Sequence, residues 1–252
     1  MAVHPRIDAI LFDLFGTLVS IDGALLPRER WTEGEAEYAR VSTIPALEEL
    51  LDGLTPRPSR DRFVEALQRV SIAMTAEKKE RGHIELSSRE RFQRALHALE
   101  LEGAIDSLAE EMSERHMASL AAAVVCPGDR RELLDRLRGD YRVGLVSNFD
   151  HASTAHAVLA RNGLTELLDP IVISDDVGVR KPGSRIFEIA CEAIAVDPSR
   201  CLYVGDSYGP DVEGATGAGL HVVWIDNGNE SHGPALGKIA DVSELPAWLS
   251  QL

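Results

Sequence analysis

Apolar and polar positions follow two different rhythms along this chain. Ile10, Leu11 and Phe12 form a continuous apolar run that stops at Asp13, followed by Leu14-Phe15 and a Gly16-Thr17 turn. A short unbroken run with β-branched and aromatic content predicts a buried strand, here with a carboxylate at its C-terminal tip. From about residue 22 to 123 the rhythm becomes that of amphipathic helices, with apolar residues at helical spacing over 29–40, 60–76, 87–101 and 105–122. In the third of these Phe92, Leu96 and Leu99 share a face, while Arg89, Glu90 and Arg94 suit solvent. Thr55-Pro56-Arg57-Pro58-Ser59 reads as a stiff connector, and Gly82 and Gly103 mark breaks.

Beyond Val124 strands alternate with helices, the pattern of βαβ units and a parallel sheet. A helix over 130–138 precedes a strand over 141–146 that ends at Ser147-Asn148. A helix over 152–162 closes at Gly163, and a strand over 171–174 leads by a loop to Lys181-Pro182, the proline starting a helix over 184–195. The strand 201–204 runs into Gly205-Asp206-Ser207, and a helix after Pro210 stops at Gly217-Ala218-Gly219. The strand 221–225 follows, and a short helix is predicted after Ser243. The first strand is too isolated to stand alone, so it is expected to pair with the later ones. The prediction is an α/β fold with a doubly wound, mostly parallel sheet, a core of residues 1–20 and 124–252, and a helical domain of residues 21–123 inserted after Asp13, where it can cover that residue.

Composition narrows the choice of partner. A hydrophobic fraction of 44% over 252 residues is enough for a proper core. The formal charge of −15 argues against nucleic acid or an anionic membrane as partner, and it means that an anionic substrate must be met by a local cation. Cys126, Cys191 and Cys201 have no paired metal-ligand spacing and read as buried thiols in a reducing setting. No charged-then-apolar leader opens the sequence and no apolar run is long enough to span a bilayer, so a soluble, cytoplasmic protein is expected.

Four strand tips then carry the candidate chemistry: Asp13 with Thr17, Ser147 with Asn148, Lys181 beyond the third, and Asp206 with Asp211. In a doubly wound sheet these tips converge on one crevice. Carboxylates there suit Mg²⁺, which takes oxygen ligands and keeps waters, and lysine with hydroxyl groups suits phosphoryl oxygens.

The order D-L-F-G-T-L, V-S-N, R-K-P and G-D-S-x-x-x-D-x-x-G-A-x-x-A-G resembles the haloacid dehalogenase superfamily of hydrolases. The likeness covers the Rossmann-like core, and the insert looks like the α-helical cap of one branch. The resemblance implies that Asp13 is a nucleophile forming an aspartyl-phosphate, that Thr17 and Ser147 hold phosphoryl oxygens, and that Lys181 neutralises charge and orients Asp13. It further implies Mg²⁺ on Asp13, Asp206 and the backbone carbonyl of Phe15, with Asp211 helping directly or through water, and Asn148 facing the leaving group. The substrate class it implies is a small phosphorylated molecule; oligomeric state carries no signal in the sequence.

One position departs from the phosphatase pattern. Where such enzymes carry a second Asp that protonates the leaving group, this chain has Phe15. General acid–base help is worth roughly 10²–10⁴ in rate. His83, His97, His116 and His151 are candidates to supply it. Dehalogenases of the superfamily are similar in having an aromatic residue there, and on that reading a cap arginine such as Arg28 or Arg40 would hold a substrate carboxylate. Met74 with Lys78 and His83 resembles, more distantly, the Schiff-base lysine region of phosphonoacetaldehyde hydrolases, but Glu77, Lys79, Glu80 and Arg81 around Lys78 read as a solvated face. The acidic cluster favours Mg²⁺ and phosphoryl chemistry. The alternatives are a 2-haloacid dehalogenase and a binding protein weakened by Phe15.

Overall fold

The computed structural model describes residues 5–33, 36–54, 56–101, 103–226 and 233–252, with the side chains of 28–33 and 36–41 outside that description. In chain order the strands are β1 (Ala9–Phe12), β2 (Ser20–Ile21), β3 (Arg28–Glu33), β4 (Ala36–Val41), β5 (Val124–Val125), β6 (Arg142–Ser147), β7 (Ile171–Ile173), β8 (Cys201–Gly205), β9 (His221–Ile225) and β10 (Gly237–Ile239). Six of them form one sheet in the order β10-β9-β8-β1-β6-β7, while β2 pairs with β5 and β3 with β4 in separate two-stranded sheets. Every neighbouring pair in the large sheet is parallel.

β1 lies at the centre: Ala9 faces Arg142 of β6 on one side and Cys201 of β8 on the other. All four of its residues are fully buried, which is why its sequence is an unbroken apolar run rather than an alternating one. From β1 the chain fills one side of the sheet with β6 and β7, then returns to the other side with β8, β9 and β10. The strand order therefore reverses around β1, and such a reversal opens a crevice at the C-terminal strand ends. Ile186, Phe187 and Ala190 of the helix Ser184–Ile194 pack on Leu11, Val146 and Tyr203, covering one face.

The chain divides into two compact units, one of residues 1–20, 82–85 and 126–252, the other of residues 21–81 and 86–125. The second unit is built on the helices Arg60–Glu80, Ser88–Ala98 and Ile105–Ala122, packed through Phe63, Phe92, Leu96 and Met112. Ser59 and Ser87 cap the first two by accepting from the amides of Arg62 and Glu90. Among the described residues no helix is long and apolar enough to cross a membrane.

Three expectations change. The helix predicted over 29–40 is instead the antiparallel pair β3–β4, with Arg28 opposite Val41 and Glu33 opposite Ala36. Gly34 is a poor helix-interior residue, and Trp31, Thr32, Tyr38 and Val41 favour strands. Pro182 does not sit in the first turn of its helix: Gly183 is the N-cap, and the Lys181-Pro182 peptide is cis. After Ser207 the chain makes a wide π-type turn, Tyr208–Glu213, before the single helical turn Gly214–Gly217.

The four residues Gly82–Glu85 belong with the sheet-bearing unit. Ile84 bridges Val179, the Glu85 amide donates to Gly178 O (2.9 Å), and the Arg180 amide donates to His83 O (2.8 Å). The Glu85 carboxylate, 2% exposed, accepts from Ser174 Oγ (2.6 Å) and Arg180 Nη1 (3.4 Å). Ser174 Oγ in turn receives the Phe149 amide (2.9 Å), so Glu85 braces the loop that follows β6. Glu85→Ala removes the carboxylate that accepts from Ser174 and Arg180, leaving Ser174 Oγ only its longer contact to Phe149 O (3.3 Å), and is expected to lower stability by about 2 kcal/mol, roughly 6 °C in Tm, with a smaller loss for Glu85→Gln. Thermal melts of both variants check it.

Candidate active site

Asp13 is the first residue past β1. Its amide still donates to Val204 O (2.9 Å), so the pairing with β8 extends one residue and delivers the carboxylate to the sheet edge. The chain then turns at Gly16, whose φ of +90° suits glycine; a Cβ there would lie 2.3 Å from Asp206 Oδ2. That turn thus brings the β1 loop directly against the β8 loop. Thr17 Oγ1 and, at the end of neighbouring β6, Ser147 Oγ are buried without a hydrogen-bond partner.

β8 supplies the acidic side. Asp211 is fully buried, exchanges hydrogen bonds with Ser207 through its amide (2.8 Å) and Oδ2 (2.9 Å), and lies where a Cβ on Gly205 would meet it at 2.5 Å. Asp206 is half-buried, and Trp224 Nε1 donates to its backbone carbonyl (3.0 Å). One oxygen from each of Asp13, Asp206 and Asp211 lies within 4.8 Å of the others.

Lys181 sits among them, 3% exposed. Its Nζ donates to Asp13 Oδ1, Asp211 Oδ1 and Tyr203 Oη, each at 2.7 Å. Asn148 seats the lysine backbone, Oδ1 accepting from Lys181 N (2.8 Å) and Nδ2 donating to Lys181 O (2.9 Å). Both ends of the Asn148 amide are thereby engaged. The Phe15 ring stacks on Phe149, centroids 4.8 Å apart and planes 22° apart.

One lysine against three carboxylates leaves the cluster negative. Burial, with the charges of Asp211 and Asp206 adding, pushes Asp13 up to about 7 against the pull of Lys181. Burial and then Asp211 raise Asp206 as well. Burial works against the charged form of Lys181, but Asp13 and Asp211 outweigh it and hold the ammonium above its ordinary range. The site residues fit a divalent cation: it would relieve this surplus charge, and hard carboxylate oxygens are the donors Mg²⁺ prefers.

Asp13, Lys181, Asp206 and Asp211 are thus brought together, with Thr17 and Ser147 on the adjoining tips of β1 and β6. The histidines are dispersed. His151 bonds Thr154 Oγ1 (2.9 Å) at the start of its helix, and His97 is exposed. His116 bonds Thr43 (2.5 Å) and meets Phe92 edge-on, while His83 lies in the segment docked beside Gly183. Arg28 and Arg40 lie on β3 and β4, whose side chains are outside the described part. Met74 is buried within its helix. Cys191 and Cys201 are buried and Cys126 is half-buried, all three as free thiols. Tyr203 joins the site without any motif to mark it. A phenol in a fully buried strand needs a hydrogen-bond partner, and that was the available signal.

Residues 7–219 match the family described as haloacid dehalogenase-like hydrolases. The chain belongs to this family. Among its relatives, "Phosphatase MT3486" of Mycobacterium tuberculosis is 28% identical over 250 residues, covering 96% of this chain and 97% of that one. "Pyrimidine 5'-nucleotidase YjjG" of Escherichia coli is 38% identical over 95 residues, 37% of this chain and 42% of its own length. "Glyceraldehyde 3-phosphate phosphatase" of Methanothermobacter thermautotrophicus is 32% identical over 112 residues, again about half its length. In fold, the chain is similar to a 2-haloacid dehalogenase from Pseudomonas syringae, with a TM-score of 0.73, 22% identity and coverage of 98% of this chain and 99% of that one. As a family member the protein is a hydrolase.

Without metal, burial pushes the Asp13 carboxyl up to about 7 in the folded state, against its ordinary 3.8 in the unfolded chain. The stability this group contributes is full below about pH 4 and is lost as pH rises through about 7. Asp13→Asn cannot ionise and escapes that loss. In EDTA, its Tm relative to the parent protein is expected to climb between about pH 4 and pH 7 and to level off above that; a constant difference would contradict the raised Asp13 carboxyl.

Proposed function

We propose that the protein is a Mg²⁺-dependent phosphatase of small phosphorylated metabolites, acting through an aspartyl-phosphate at Asp13. One observation carries the reading. Two buried hydroxyls without partners, Thr17 Oγ1 and Ser147 Oγ, stand at adjacent strand tips beside a carboxylate paired to a buried lysine. Buried donors left unmatched in a native fold call for an acceptor from outside, and phosphoryl oxygens provide it. The phosphatase names of several relatives support the same class.

On this reading an Asp13 oxygen bonds to phosphorus as the bond from phosphorus to the leaving oxygen breaks, the electron pair departing with the leaving group. Water then attacks phosphorus, freeing phosphate and restoring the carboxylate. Thr17 and Ser147 donate to the phosphoryl oxygens. Lys181 fixes the direction of Asp13 and offsets its charge, and Asn148, rather than facing the leaving group, seats Lys181. Asp13, Asp206 and the Phe15 carbonyl would hold Mg²⁺, which supplies charge neutralisation at the phosphoryl group. Asp211 already accepts from Lys181 through Oδ1 and from the Ser207 amide through Oδ2, so it would act on the ion through water.

Phe15 shapes the substrate range. Its stacked ring cannot move a proton, so leaving groups that depart unassisted, such as acyl and aryl phosphates, are favoured over alkyl phosphates. The same residue supports a second reading, dehalogenation of a short 2-haloacid, in which Asp13 attacks carbon and halide leaves as the anion without an acid.

Hydrolysis of p-nitrophenyl phosphate and acetyl phosphate, with and without Mg²⁺, separates the two. The phosphatase reading expects turnover that EDTA abolishes and that Asp13→Asn lacks. Phe15→Asp is expected to raise kcat for alkyl phosphates at least about tenfold, with less effect on acetyl phosphate. Chloride release from 2-chloropropionate, indifferent to EDTA and without phosphatase turnover, would transfer the assignment to a dehalogenase.

A further inference from the structure

We propose that Tyr203 is a positioning residue for the reaction, its hydroxyl holding the Lys181 ammonium against Asp13 and Asp211. The inference rests on Asp13 being the nucleophile, which the phosphatase and dehalogenase readings share.

An ammonium group has three N–H donors and no acceptor. In this structure all three are spoken for, by Asp13 Oδ1, Asp211 Oδ1 and Tyr203 Oη at 2.7 Å each. The Tyr203 hydroxyl proton has its own acceptor, Val146 O, at 2.9 Å, with Asp211 Oδ1 further off at 3.2 Å. One oxygen therefore links β8, the lysine and the residue just before Ser147. The ring is fully buried and held edge-on by Phe187, centroids 5.2 Å apart and planes at 83°, so the hydroxyl has little freedom.

The chemistry explains why a phenol stands here. A third carboxylate on Lys181 would deepen the negative charge of the cluster, and an apolar side chain would leave one N–H unmatched in a buried place. A neutral acceptor that also donates to a backbone carbonyl does neither. With its protons all committed, Lys181 directs the nucleophile rather than gripping substrate. Removing the hydroxyl frees the ammonium to rotate, and Asp13 loses its fixed orientation while Thr17, Ser147 and Asp206 are untouched. The loss therefore falls on the chemical step and not on substrate or metal binding.

Tyr203→Phe in the full chain tests this, since it deletes one oxygen and keeps the ring. With saturating Mg²⁺ and p-nitrophenyl phosphate, kcat is expected to fall roughly 10- to 100-fold while KM and the Mg²⁺ affinity measured by calorimetry stay within about threefold. In metal-free protein a double-mutant cycle with Lys181→Met gives a second readout. Tyr203→Phe loses the bond to Val146 O in either background, and should cost about 3 °C more in Tm with Lys181 present than with methionine there. Lys181→Gln replaces methionine if that variant does not fold. An unchanged kcat, a kcat loss matched by KM, or equal Tm losses in both backgrounds would overturn the proposal. If the parent protein hydrolyses no phosphate ester, the phosphatase reading fails by itself. The kinetic comparison then moves to chloride release from 2-chloropropionate, and without turnover of either the stability cycle decides.

Discussion

Burying one ammonium group among three carboxylates is the constraint on which this molecule turns. A lysine sealed from water is tolerable only if every proton meets an acceptor and its charge is answered at close range. Lys181 meets both demands, and the surrounding chain is arranged so that it can. Asn148 clamps its backbone, Tyr203 takes its third proton, and glycine at 16 and 205 leaves room for the aspartates to close in. The parallel sheet contributes the geometry that no local motif could, because β1, β6 and β8 are neighbours that all end at the same edge. In a chain with a formal charge of −15 the lysine alone leaves this cluster negative, so an anionic substrate would need the divalent cation that the carboxylates are suited to hold.

Much of this was legible before any coordinates. Strands buried on both faces are written as short apolar runs, and Asp13, Ser147 and Asp206 punctuate three of them, so the site could be read as a set of strand ends. What escaped notice had physical reasons. The 29–40 stretch places apolar residues at intervals that a helix accepts, and Gly34 with the strand-favouring Trp31, Thr32 and Tyr38 argues otherwise. β10 is three residues of Gly-Lys-Ile, too short to carry a period. Glu85 looks like any surface glutamate, and its burial against Ser174 and Arg180 arises from pairing across more than eighty residues, which no local pattern encodes. Asn148 was legible as a site residue but not in its task, since an amide that binds backbone at both ends cannot be told by sequence from one aimed at substrate.

Phe15 is the point where chemistry and fold part company. The carbonyl at that position is independent of the side chain, so the proposed ion site and nucleophile do not depend on an acid there. The stack with Phe149 also shows that the ring is accommodated as part of the packing around the loops of β1 and β6. A family fold shared by phosphatases and dehalogenases is thus compatible with either use of Asp13.

The central place of β1 also bears on how the protein is made. Ala9 pairs with Arg142, 133 residues later, and with Cys201 further still. At about 5–20 residues per second, a ribosome needs roughly 6 to 26 seconds after finishing the first strand before its nearest neighbour exists. Throughout that interval an apolar, strand-prone segment has no sheet to join, while the helices of the insert, whose contacts are local, can already assemble. The nascent chain is thereby exposed to mispairing at the very segment that leads into Asp13, and the last strands to emerge are those that complete both the sheet and the cluster of charges at its edge.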